Sequence, residues 1–132
     1  MNLIGPIHSG AAAGGAGAAG ANADSPTIIK GRVLAVYVGY NGSPPAAADV
    51  LIQTKGVLPA APSNTILALN NTAASGWFYP HHKAHDENGT VITYDGSNEV
   101  YTLPPVYDHI NVSLAQANDG DSIDVWLLVE EV

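Results

Sequence analysis

Ile110-Asn111-Val112-Ser113-Leu114-Ala115, then Gln116-Ala117-Asn118-Asp119-Gly120-Asp121, then Ser122-Ile123-Asp124-Val125-Trp126-Leu127-Leu128-Val129 is the stretch whose reading decides the fold. Ile110, Val112 and Leu114 recur at every second position, as do Ile123, Val125, Leu127 and Val129, and the turn-forming Asn118-Asp119-Gly120 separates the two runs. Two alternating strands joined by a turn predict a β-hairpin. Successive side chains on a strand point to opposite faces, so one set enters a core while Asp124 and Glu130 stay in water. Trp126 and Leu128 fall on the polar face. A large apolar pair there predicts that this face is covered as well, by the chain's own segments or by a partner.

Upstream, the pattern repeats in shorter pieces. Ile28 to Val38 reads as a long strand whose second half is apolar on both faces, which suits an interior position in a sheet. Asn41-Gly42-Ser43-Pro44-Pro45 ends it with turn chemistry. Val50–Lys55 and Thr65–Leu69 are two further strands, separated by a loop over Leu58–Pro62. Trp77-Phe78-Tyr79, Thr90–Tyr94 and Val100–Leu103 are short candidate strands, with a two-residue turn signal at Asn88-Gly89. Short strands punctuated by turns predict an all-β protein, a β-sandwich over residues 27–132. The predicted core is Val33, Val36, Val50, Ile52, Ile66, Leu67, Trp77, Val91, Val112, Leu114, Val125 and Leu127.

Residues 1–26 differ in kind. Gly10 to Gly20 is built of Gly and Ala alone, offers almost no side chain to bury, and carries glycines that weaken helix by about 1 kcal/mol each. It reads either as a flexible leader or as an extended N-terminal arm laid along a neighbouring subunit, with Leu3, Ile4 and Ile7 as its apolar anchors.

The formal net charge is −8, with Lys30, Arg32, Lys55 and Lys83 as the only Lys and Arg, and residues 84–132 hold ten of the twelve carboxylates. Such a surface repels phosphate, so neither nucleic acid nor anionic membrane is expected as a partner, whereas a basic protein surface suits it. With no cysteine, disulfides, thiolate metal sites and a Cys nucleophile are excluded. Met1 to Gly5 lacks a basic segment and a sustained apolar run, so no secretion signal is read there, and no apolar run is long enough to span a membrane. The cytoplasm is the expected place of synthesis.

The densest titratable cluster is His81, His82, His85 and Asp86. Pro80 before it and Asn88-Gly89 after it favour strand or loop, where His81 and His85 stand about 13 Å apart, too far for one metal ion. Exposed loop or interface histidines are expected there. Asn118-Asp119-Gly120-Asp121 misses the spacing of a calcium loop. Asp108 and His109 are adjacent, which on a strand sends them to opposite faces and disfavours a catalytic dyad. No nucleophile elbow, phosphate loop or paired-carboxylate motif is present, so no enzyme activity and no cofactor are expected.

Arg32–Val38 followed by Gly42-Ser43-Pro44-Pro45 and Asp49-Val50, then Gly76-Trp77-Phe78-Tyr79-Pro80, Ile92-Thr93-Tyr94-Asp95-Gly96 and Ala115–Asp121 with Val125–Leu128, resembles the capsid decoration, or cement, proteins of tailed bacteriophages. The likeness covers residues 28–129. It implies a jelly-roll-like β-sandwich on the outside of the virion, bound to the major capsid protein and holding capsomers together, and a homo-oligomer, dimer or trimer. It supplies no catalytic residues. The capsid-contact candidates are Leu3, Ile4, Ile7, His81, His82, His85 and Trp126. The rival reading is a carbohydrate-binding or adhesion sandwich that uses the exposed aromatics.

Overall fold

The structure is a computed structural model that describes residues 1–56 and 65–131. Its strands, in chain order, are β1 (Asn2–His8), β2 (Ala19–Asp24), β3 (Ile29–Asn41), β4 (Asp49–Thr54), β5 (Thr65–Leu69), β6 (Gly76–Phe78), β7 (His82–Lys83), β8 (Tyr101–Thr102), β9 (Pro105–Asp108), β10 (Ile110–Ala117) and β11 (Ser122–Glu130). No helix occurs among the described residues. A five-stranded antiparallel sheet has the order β1-β11-β3-β6, with β9 pairing the first part of β3, and a four-stranded antiparallel sheet has the order β2-β10-β4-β5. The two sheets pack face to face as a sandwich, and β7 and β8 form a separate small ribbon.

The core lies between the sheets. Val33, Val36, Val38, Ile123, Val125, Leu127 and Val129 face it from one side and Val50, Ile52, Ile110, Val112 and Leu114 from the other, none more than 1% exposed. The period-2 reading of these strands therefore holds. The hairpin does not. β10 and β11 lie in different sheets, so the turn between them makes a β-arch that crosses the core. In a hairpin the two apolar sets would lie side by side and need a further layer to cover them. In the arch each covers the other.

The turn of the arch is fixed by a buried carboxylate. Asp121, 3% exposed, accepts the Ser43 N–H on Oδ1 at 2.9 Å and the Asn118 N–H on Oδ2 at 2.9 Å. Asn118 in turn donates Nδ2 to the Ser43 carbonyl at 3.0 Å and accepts the Gly17 N–H at 3.0 Å. Gly42 has φ +88°, and a Cβ there would lie 2.4 Å from Asp121 Oδ1, so only glycine lets the Ser43 loop close on the turn.

The expected free N-terminal arm is corrected by these pairings. β1 adds to the edge of β11 with Ile4 opposite Leu127 and Ile7 opposite Val125, and β2 adds to β10 with Ala21 opposite Leu114 and Ala23 opposite Val112. The loop between them passes over the arch, where Ala12 donates to the Asp121 carbonyl at 2.7 Å and accepts from Gly120 N–H at 2.8 Å. Ordering such a chain costs about 1–2 kcal/mol per residue, and here the chain's own sheet edges supply the hydrogen bonds that offset it. Small residues are needed because the approach is close: a Cβ at Gly14 would meet Ala19 Cα at 3.0 Å.

Smaller departures follow the same logic. Trp77, expected in the core, is 46% exposed, and Val91 lies half-buried outside it. Thr90–Tyr94 is not a strand but makes only isolated bridges, Val91 to His85 and Thr93 to Glu99. The loop expected over Leu58–Pro62 lies outside the described residues.

Two substitutions test this core. Leu127→Ala is expected to cost about 2–5 kcal/mol in denaturant unfolding, because a cavity at mid-strand collapses poorly. Asp121→Ala is expected to cost about 1–3 kcal/mol by leaving the Ser43 and Asn118 N–H groups without their acceptor. A loss below about 1 kcal/mol for Leu127→Ala would place that side chain at the surface.

Candidate functional site

The alternation that sends Val125, Leu127 and Val129 inward turns Asp124, Trp126 and Leu128 outward, and the neighbouring strands extend this outer face. Trp126 stands opposite Tyr37, and Tyr37 opposite Trp77. On the other flank Leu3 stands opposite Leu128, which stands opposite Ala35. Leu3, Tyr37, Trp77 and Trp126 line a shallow apolar depression of about 250 Å³. The Tyr37 and Trp77 rings meet edge to face, their centroids 5.4 Å apart and their planes at 60°.

Glycine again decides the detail. The register of β1 slips between Ile4 and Ile7, and Gly5, with φ +145°, sits so close that a Cβ would lie 2.7 Å from the Val125 carbonyl and 3.1 Å from the Trp126 ring. The bulge thus brings backbone against the indole while Leu3, 55% exposed, reaches the same depression. Above the apolar row, Asp124 is bonded to His8 Nδ1 at 2.7 Å and accepts from Asn41 Nδ2 at 2.9 Å. Burial pushes the Asp124 carboxyl up, but the hydrogen bonds from Asn41 and His8 outweigh it and hold the group below its ordinary value.

The sequence candidates separate. Leu3 and Trp126 come together on this face, whereas Ile4 packs against the core and Ile7, 3% exposed, belongs to it. The expected cover over Trp126 and Leu128 is partial, since both remain half-buried. His81, His82 and His85 lie elsewhere, in the excursion between β6 and β9. His81 is exposed and packs edge-on to Tyr101 at 4.3 Å, while the His82 and His85 rings are 5.6 Å apart. Among the described residues no three His, Asp or Glu side chains converge as a metal-binding group. Asp108 is 1% exposed and accepts the Gly56 and His109 N–H groups, while His109 Nδ1 lies 2.8 Å from the Ser25 carbonyl, so the two neighbours serve separate structural bonds.

Tyr37 and Trp77 are the members of the face that sequence reasoning missed, whereas Leu128 was read with Trp126 on the outer side of its strand. A signal was available for Tyr37, which shares on its strand the outward parity of Gly39 and Ala35. Trp77 carried no such signal, because β6 is only three residues long.

Comparison with protein-family models, with curated protein sequences and with solved structures finds no match to this chain.

The excursion offers a pH test of its local order. Asp95 is pulled down from 3.8 to about 2, first by the Asn98 and Ser97 backbone N–H groups and then by the Asn98 side chain. A depressed carboxyl stabilises its turn above the unfolded value and loses that contribution as pH falls through the folded one. The amide resonances of Ser97 and Asn98 are therefore expected to hold down to about pH 3 and to move with a midpoint near 2. A midpoint at 3.8 would show that these bonds do not form in solution.

Proposed function

We propose that this chain is a structural virion protein, a jelly-roll-like capsid decoration protein that docks on the outer surface of a bacteriophage major capsid protein shell through the outer face of its five-stranded sheet. The observation that carries the reading is the apolar row of exposed Leu3 and Trp77 with half-buried Tyr37 and Trp126 on an otherwise acidic protein. Aromatic side chains at the centre of a patch and polar groups at its rim are the arrangement in which a few residues supply most of the energy of a protein contact. The charge is consistent with a basic surface on the other side. Attachment in several copies would hold neighbouring capsomers together without any catalytic step.

A carbohydrate-binding or adhesion module is the alternative that the same aromatics suggest. A sugar ring stacks on a flat, open aromatic face, and the 60° edge-to-face arrangement of Tyr37 and Trp77 presents an uneven surface instead. The geometry favours a protein partner for that reason.

The test is occupancy on purified heads of the phage that encodes the chain, measured by co-sedimentation for the native protein and for Trp77→Ser. The Trp77 side chain is half exposed at a sheet edge, so Tm is expected to change little while attachment weakens by roughly tenfold or more. Failure of the native protein to sediment with heads would contradict the reading, and so would a Trp77→Ser variant that binds heads like the native protein.

A further inference from the structure

The four Lys and Arg side chains are not used alike. Lys55 lies 3.3 Å from Asp24 and Lys83 lies 3.0 Å from Glu99, whereas neither Lys30 nor Arg32 makes an ion pair among the described residues. In a chain with twelve carboxylates and four such cations, two unpaired ones side by side are the less expected arrangement. They are two residues apart on β3, and both line a depression of about 630 Å³ whose other wall is Pro105, Val106 and Tyr107 from β9, with Glu131 at its edge. Lys30 stands opposite Tyr107 and Arg32 opposite Pro105.

Among the described residues, the neighbouring acids form no ion pair with either cation. Glu130 is the cross-strand neighbour of Arg32 on β11, yet no ion pair forms between them. Glu131 accepts a hydrogen bond from Asn2 Nδ2 instead. Between them Gly31 has φ +132°, and a Cβ there would collide with the Glu130 carbonyl. Tyr107, 60% exposed, offers an open ring beside the two cations.

We propose that this depression is a binding site for a carboxylate-bearing segment of a partner protein, with Arg32 and Lys30 holding the carboxylate and Tyr107 and Pro105 packing against the segment's apolar atoms. The planar guanidinium matches a carboxylate with two parallel hydrogen bonds, and the Lys30 ammonium adds a second positive charge. The neighbouring Glu130 and Glu131 disfavour a polyanion such as nucleic acid, and the volume exceeds what a lone ion fills. The chain's net charge does not forbid the contact, because at physiological salt charges beyond about 8 Å are screened. The site is separate from the apolar row and stands whether or not that face docks on a shell.

The experiment is a ¹H–¹⁵N titration of the full chain with N-acetylated tetraglutamate amide in about 0.15 M salt, with tetraglutamine amide as control. Saturating shifts are expected at Gly31, Arg32, Val106 and Tyr107 and are expected to be absent with tetraglutamine. The double variant Lys30→Gln, Arg32→Gln changes only exposed side chains, so it is expected to keep its spectrum elsewhere while binding at least about tenfold more weakly. No saturation, saturation at other residues, or unchanged binding by the double variant would overturn the site. Inorganic phosphate saturating the same residues at lower concentration than the peptide would overturn its assignment to a protein segment.

Discussion

Everything in this sandwich hangs on a single reversal of the chain, in which the turn from Asn118 to Asp121 carries β10 in one sheet over to β11 in the other. Because the strands face each other across the core, Ile110, Val112 and Leu114 are sealed by Ile123, Val125, Leu127 and Val129, and all seven are 1% exposed or less. Each strand then has two free edges. β1 and β3 take those of β11, and β2 and β4 take those of β10. The buried Asp121 carboxylate joins the arch to the Ser43 loop, and the Ala12 backbone joins it to the N-terminal loop. A polar group buried at such a point stabilises only while its partners are in place, which ties the three segments into one unit.

The same reversal sets the outer surface. Once the inward parity of β11 is spent on the core, Trp126 and Leu128 have no choice but to face out, and Tyr37 and Trp77 join them across the sheet. β1 lies at this edge and contributes Leu3 to the row, while its bulge at Gly5 packs backbone against the Trp126 ring. The apolar face is therefore a consequence of the packing as well as the surface proposed for a partner. An exposed cluster of this kind lowers solubility unless something covers it, and that is the physical ground for giving it a binding role.

Much of the frame is legible in the sequence, because burial on one face writes a period of two. Val33, Val50, Ile52, Ile66, Val112, Leu114, Val125 and Leu127 announce themselves in that way and are all buried. Hairpin and arch give the same pattern, since both join two alternating strands by a turn, and only the three-dimensional choice of neighbours separates them. β1 and β2 are illegible for another reason: Gly5-Pro6 interrupts the apolar residues of β1, the Ala, Gly and Asn of β2 carry little hydrophobic signal, and their partners lie more than a hundred and about ninety residues away. Leu3 and Trp126 were candidates from sequence, but their meeting with Tyr37 and Trp77 depends on strand order. That Lys30 and Arg32 make no ion pair among the described residues likewise has no sequence signature, because it depends on which side chains the strand pairing brings beside them.

The measurement that bears most directly on this account is native-state hydrogen exchange of the free protein. If both N-terminal strands belong to the sandwich, amides in Asn2–His8 and Ala19–Asp24 that bond to β11 and β10 will be protected, and they will open together with those of Ile110–Ala117 and Ser122–Glu130. Free exchange throughout residues 1–26, with residues 110–130 still protected, would contradict it by showing a sandwich that closes without those two strands.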